Sequence, residues 1–261
     1  AYWKLTSWYS YKGLKTRYPW LRYRLDLLVF SRVATVIFFP SQTMADLFSL
    51  ASPKVPLPPG GQIMAREYYL RPVGEIRTVV YVGGISQRYG LEILLQALDL
   101  ANRKVALNLE LVCRQDEFMQ QRPTFEKYDG AEWLHVYHLI GKDLEQVYRR
   151  GDVAVIPGLK SLYNDLAMPV KLFEYLSYGL PVVATNCTEM ANFISRNKVG
   201  LVTEDNAPSL ADGILQLVEE KALYDQLRRN IRHTLENGNL WTDRARFVAE
   251  QLAALDRRVQ G

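Results

Sequence analysis

The stretch "MPVKLFEYLSYGLPVVATN", residues 168–186, holds a helix start, a helix stop and a buried strand in one short span. Pro169 suits the opening of a helix, because the N–H it lacks would have no partner there. Gly179 and Pro181 stop that helix, the glycine by reaching left-handed backbone and the proline by clashing with a further turn. Lys171 stands at the positive end of the helix dipole, where a cation alone is mildly unfavourable. An anion bound there would reverse that cost, since first-turn N–H groups and the ammonium would converge on it. Glu174 lies about one turn on, on the same face, placed to accept protons from two ribose hydroxyls. The plainer alternative is a Lys171–Glu174 surface pair, which stabilises by only about 0.2–0.5 kcal/mol.

Outward from this stretch the pattern is regular. The apolar runs TVVYVG (78–83), ALNLELV (106–112), WLHVYH (133–138), VAVIP (153–157), PVVAT (181–185) and GLVTE (200–204) read as strands. Helical segments alternate with them, among them YGLEILLQALDLAN, KDLEQVYRR, VKLFEYLSY and SLADGILQLVEEK. Continuous apolar strands between amphipathic helices indicate a parallel sheet covered on both faces, a doubly wound α/β arrangement. In such sheets ligands bind beyond the carboxyl ends of the strands. Two junctions there stand out. One is GLKSLYNDLAM (158–168), read as a polar loop, leading into the helix at Pro169. The other is YVGGISQRYG (81–90), in which Gly83 and Gly84 let a phosphate approach the backbone and Arg88 offers it a fork of donors. Gly83, Gly84 and Gly90 do not fit G-x-G-x-x-G, so this is no dinucleotide fingerprint. A tight turn beside a solvated arginine would look the same.

Before residue 77, ATVIFFP (34–40) reads as a short strand, Ser41 as the cap of the helix in QTMADLFSL, and KVPLPPGGQ (54–62) as a strand running into a linker. The tail from Trp241 places Trp241, Val248, Leu252 and Leu255 on one helical stripe. A length of 261 residues suits two domains or one and a part. The chain opens AYWKLTSW without a Met, as a fragment starting inside a larger protein would.

Composition removes several function classes. No apolar run approaches the ~20 residues that span a bilayer, and Cys113 and Cys187 read as buried thiols of a reducing, cytoplasmic compartment. The histidines have no ligand-like spacing, so no metal is expected. Residues 1–33 carry seven Lys or Arg against Asp26 alone, a net of +6 where the whole chain has +4. Trp3, Trp8 and Trp20 are among the aromatics interleaved with those cations. Such an arm can lie on an anionic membrane surface, or pack on a part of the protein beyond this chain. Nucleic-acid binding is not expected, because nothing outside the arm is basic.

Together the two junctions resemble a family. MPVKLFEYLSYGLPVVATN is similar to the donor-site motif of family-4-like GT-B glycosyltransferases, Pro-x-Lys-Leu-x-Glu-Tyr-Leu followed by Gly-x-Pro-Val-Val-Ala-Thr. The runs YVGGISQRYGLEILLQAL, VYHLIGKDLEQVYRRGDVAVIP and NKVGLVTEDNAPSLADGILQL resemble other segments of that family in the same order. The resemblance covers roughly residues 34–255. It implies a Rossmann-like, doubly wound donor domain (77–240), an incomplete N-terminal acceptor domain (1–57), a linker (58–76) and a C-terminal helix (241–261) docking back toward the N-terminal part.

It also implies residue roles. Lys171 and Arg88 would stabilise the leaving diphosphate of a nucleoside diphosphate sugar, with Gly83, Gly84 and the backbone of Met168, Pro169, Val170 and Lys171 beside it. Glu174 would hold the ribose, and His138, Leu139 and Ile140 would flank the base. Family members often carry a second glutamate eight residues before the ribose one; Leu166 occupies that place, leaving Asn164 and Asp165 as neighbouring candidates for the sugar. Many also have an arginine where Gly84 stands. The implied activity is transfer of a sugar to an acceptor hydroxyl, with retention, in polysaccharide or glycolipid synthesis, using no cofactor. The acceptor would be a saccharide or a lipid-linked molecule. A sugar-nucleotide epimerase of the same fold and a non-catalytic nucleotide-binding module are the competing readings.

Overall fold

A computed structural model describes residues 17–64 and 76–260, the side chains of residues 17–23 and 256–260 excepted. The chain divides into two compact units, one of residues 1–58 with 248–261, the other of residues 59–247. Most of the expected linker, residues 65–75, lies outside the described residues, as does the arm before residue 17.

In the smaller unit, helix α1 (Arg17–Val33) is the described part of the arm, and two short parallel strands, β1 (Ile37–Phe39) and β2 (Lys54–Pro56), flank helix α2 (Gln42–Asp46). Ser41 caps α2 as expected, accepting from the Met44 N–H at 3.1 Å. At its other end Lys54 Nζ donates to the carbonyls of Ala45 and Phe48, the place where a cation suits the helix dipole. On α1, Leu25, Leu28, Val29, Phe30 and Val33 are exposed.

The larger unit is built on six parallel strands: β3 (Thr78–Val82), β4 (Asn108–Val112), β5 (Leu134–Tyr137), β6 (Val153–Ile156), β7 (Val182–Thr185) and β8 (Gly200–Thr203). Their order in the sheet is β5-β4-β3-β6-β7-β8, so the expected doubly wound sheet is present. Alternate residues of a strand face opposite sides. Val79, Tyr81, Leu109, Leu111, Val153 and Val155 join one core, while Val80, Ala154, Ile156, Val182 and Ala184 join the other. Both faces are therefore apolar, which is why these strands read as unbroken hydrophobic runs. Helices α3 (Leu91–Asn102), α4 (Gln115–Gln120), α5 (Arg122–Phe125), α6 (Leu144–Arg150), α7 (Leu162–Leu166), α8 (Val170–Ser177), α9 (Thr188–Asn197), α10 (Ala207–Glu219), α11 (Lys221–Glu236) and α12 (Trp241–Gln260) complete the described helices of this half of the chain. Among the described residues no helix is long and apolar enough to cross a membrane.

Two expectations need correction. The stretch read as a polar loop contains α7, whose start is held by Ser161 accepting from the Asn164 N–H at 3.3 Å. Pro169 is the cap residue of α8, with extended backbone, and Val170 is the first helical residue. On α12, which carries all four residues of the expected apolar stripe, Trp241 and Leu252 are about half exposed.

The chain leaves β3 toward β4 and β5, then crosses to β6 on the other side of β3. The carboxyl ends of β3 and β6 therefore mark the point where the winding reverses, and the connections after them diverge and leave a crevice. Both junctions singled out in the sequence follow these two strands.

Candidate functional site

The loop after β3 is shaped by its glycines. Gly90 has φ 75°, and a Cβ there would stand 1.7 Å from the Pro157 carbonyl oxygen at the end of β6. Only glycine permits that approach. Asn164 then staples the two loops together: its amide nitrogen donates to Arg88 O at 2.9 Å and Leu159 O at 2.7 Å. Glu117, on α4, accepts from the Ile85 N–H at 3.0 Å and fixes the middle of the loop.

Helix α8 is anchored to the end of β3 by Tyr175, whose hydroxyl receives the Val82 N–H at 2.8 Å. Lys171 lies four residues earlier, one turn away on the same face, so it is aimed at the same strand end. Its ammonium donates to the Tyr81 hydroxyl at 3.2 Å and sits 4.3 Å from the centre of that ring. The Tyr81 hydroxyl in turn donates to Gly84 O. Gly83, with φ 132°, lies directly beside the ammonium: a Cβ there would be 2.5 Å from Lys171 Nζ. Burial pushes the Lys171 pKa down to about 8, while the charges of Glu174 and Glu117 pull it upward. A cation short of hydration at a helix start is strongly receptive to an anion.

Two cavities meet at Gly84 and Tyr89. The larger, about 750 Å³, is bordered by Gly83, Gly84, Arg88, His138, Leu139 and Ile140 together with Glu117 and neighbouring residues of α4. The smaller, about 320 Å³, is bordered by Asn164, Met168, Pro169, Val170 and Lys171, with Tyr81, Tyr163 and Met190. His138 is oriented by its Nδ1, 3.0 Å from Cys113 O. Arg88 donates to the Tyr89 hydroxyl at 2.8 Å and lies over the rings of Tyr89 and Tyr163. Cys113 is buried, and desolvation raises its pKa to about 12, so it is no nucleophile near neutral pH.

Two of the candidate residues border neither cavity. Glu174 is exposed on α8, with the Tyr148 hydroxyl 3.4 Å from its carboxylate. Asp165, expected beside the donor sugar, is engaged at the start of α9. Its carboxylate accepts the Thr188 N–H at 3.0 Å and the Thr188 hydroxyl at 2.9 Å, and pairs with Lys160 at 3.2 Å. Burial works to raise the Asp165 pKa, but the bonds from Thr188 and Lys160 outweigh it and hold it below the ordinary carboxylate value. Leu166 is buried, with 3% of its surface exposed. Sequence reasoning missed Tyr81, Tyr89, Tyr163 and Glu117. The one visible signal was Tyr81, a polar-tipped side chain near the end of an otherwise aliphatic strand. Among the described residues no group of three or more His, Cys, Asp or Glu side chains could hold a metal ion.

Comparison with known proteins bears on the fold and the family. The curated protein TuaH of Bacillus subtilis (strain 168), named for teichuronic acid biosynthesis as a glycosyltransferase, is 29% identical over 85 residues, 32% of this chain. The chain spans only 21% of that relative in this match. Sucrose-phosphate synthase from Thermosynechococcus elongatus superposes with a TM-score of 0.68 at 19% identity, over 90% of this chain and 62% of its own. The pneumococcal O-GlcNAc transferase GtfA, solved in complex with UDP and GlcNAc, superposes with a TM-score of 0.67 at 12% identity, over 85% of this chain and 45% of its own. At these identities the superpositions establish a shared GT-B fold. The family model described as Glycosyl transferases group 1 matches residues 76–220, more than half of the chain and all of β3 to β8, and the chain belongs to that family.

Proposed function

We propose that the larger unit binds a nucleoside diphosphate sugar across the two cavities and that the protein transfers the sugar to an acceptor hydroxyl. The observation that carries this reading is Lys171: an ammonium short of water, at the first turn of α8, against a glycine that leaves it room. In this reading the diphosphate lies at the junction, where Lys171, Arg88 and the first-turn N–H groups of α8 meet the charge that develops as the sugar leaves. The nucleoside takes the larger cavity, whose wall is rich in groups able to read a base, and the sugar takes the smaller. Retention of configuration and a place in polysaccharide or glycolipid synthesis rest on the family alone.

Thermal-shift and calorimetric titration with UDP, GDP, ADP and dTDP test the reading, because a ligand that binds only the folded state raises its apparent stability. One of the four is expected to bind and stabilise; binding of none would overturn the proposal. The acceptor reading extends to a lipid surface. Exposed Leu28, Val29 and Phe30 beside Arg32 on α1 support membrane contact by the arm. Sedimentation with anionic vesicles at low salt, reversed at high salt, is the expected result. Equal binding to neutral vesicles would count against it.

A further inference from the structure

We infer that the donor sugar carries a methyl-bearing group where a common hexose has a hydroxyl, as in a deoxyhexose or an N-acetylhexosamine. The inference rests on the proposed function, which places the sugar in the smaller cavity next to the phosphate-binding end of α8. The deep wall of that cavity is apolar: Ile156, Cys187 and Met190 are all buried, with Ala167 and Met168 nearer its edge.

Much of the hydrogen-bonding capacity beside that wall is used within the protein. Both amide hydrogens of Asn164 have acceptors, in the Arg88 and Leu159 carbonyls. The Tyr81 hydroxyl bridges Lys171 and Gly84. Cys187 Sγ donates to Gly158 O at 3.5 Å. Asp165, adjacent in sequence, caps α9 through Thr188. Among the described residues bordering this cavity there is no Asp or Glu. A sugar hydroxyl pressed against Ile156, Cys187 and Met190 would give up water and gain no good acceptor from those three side chains, whereas a methyl group would be desolvated favourably. The larger cavity differs in that Asp116, Glu117 and Arg114 stand on its wall, so the apolar character belongs to the sugar side alone.

The test starts from whichever nucleoside diphosphate binds best. Three donors on that nucleotide, bearing the hexose, its 6-deoxy analogue and the N-acetylhexosamine, are titrated against the full chain by calorimetry. One of the two methyl-bearing donors is expected to bind about tenfold to a hundredfold tighter than the hexose, the range open to one apolar group in a pocket. Which of the two does so identifies the source of the methyl. Ala167→Asn places an acceptor on the cavity wall and is expected to narrow that ratio several-fold. Equal or tighter binding of the hexose, or a ratio unmoved by Ala167→Asn, would overturn the inference while leaving the proposed function standing. Failure of every nucleoside diphosphate to bind would remove the proposed function and this inference with it.

Discussion

Helices α8 and α9 start close together in the chain, yet their N-termini are completed in different ways. At α9 a carboxylate of the chain itself, Asp165, accepts from Thr188 and satisfies the positive end. At α8 the cap residue is Pro169, which offers no side-chain acceptor, and the first turn carries a lysine. One helix start is finished by the fold. The other concentrates donors and positive charge at the mouth of a cavity, and a bound phosphate would finish it as Asp165 finishes α9. Asp165, which the family resemblance suggests for the sugar, accepts from the neighbouring helix.

Breaking the α8 side should have the largest effect. Charge-assisted hydrogen bonds contribute about 1.5–3 kcal/mol. Lys171→Ala is therefore expected to weaken nucleoside diphosphate binding by roughly ten- to a hundredfold in calorimetric titration. The parent nucleoside, which brings no phosphate, should lose much less. Equal losses for both would mean that Lys171 serves the fold and that the two helix starts do not differ in the way described.

The same substitution logic applied to α9 should move stability and not binding. Asp165→Ala removes the acceptor for two Thr188 donors and is expected to destabilise by about 1–2 kcal/mol in denaturant unfolding. Diphosphate affinity should stay within about twofold. Because the folded pKa of Asp165 is depressed, its contribution is present above the ordinary value of 3.8 and is lost as pH falls through the lowered one. Wild type and variant should thus converge in acid. A loss of affinity as large as that of Lys171→Ala would place Asp165 in the binding site after all.

The titration of Lys171 sharpens the comparison further. Its pKa in the free protein is lowered to about 8, and a bound diphosphate would keep the ammonium charged. Above pH 8 binding then takes up a proton, so affinity should fall by up to about tenfold per pH unit, while nucleoside affinity stays flat. Stability without ligand runs the other way. The folded state disfavours the charged lysine, so this group's contribution should rise between about pH 8 and its ordinary pKa of 10.5. A diphosphate affinity unchanged from pH 7 to 9 would sink the assignment.

The smallest expected effect is at Glu174. It is exposed, and its structural neighbour is the Tyr148 hydroxyl at 3.4 Å. Glu174→Gln should reduce diphosphate affinity several-fold through the ribose, with no change in thermal stability. A 2′-deoxyribose ligand should show a smaller difference between the two proteins. No change with either ligand would leave Glu174 as a surface residue.

Much of this molecule was legible before folding was considered, because the relevant physics is local. Strands buried on both faces must be apolar throughout, so β3 to β8 announce themselves as runs, and parallel pairing follows from the helices between them. The bounds of α8 follow from Pro169, Gly179 and Pro181, whose backbone restrictions act on their own neighbours. The family resemblance likewise rests on motifs that are each contiguous in the chain. What tertiary structure alone decided is non-local. The order of the strands puts β3 beside β6, and only that adjacency brings the Gly83–Gly84 loop to Lys171. Asn164 finds its acceptor at Arg88 and Asp165 finds its donors at Thr188, partners no spacing rule connects. Helix α7 is a single turn held by Ser161 and by these contacts, too short to persist on propensity and therefore too short to be read from it. The chemistry of Lys171 belongs to the same group: residue type makes it a cation, but burial against Tyr81, supplied by a strand 90 residues away, lowers its pKa into the range where it titrates.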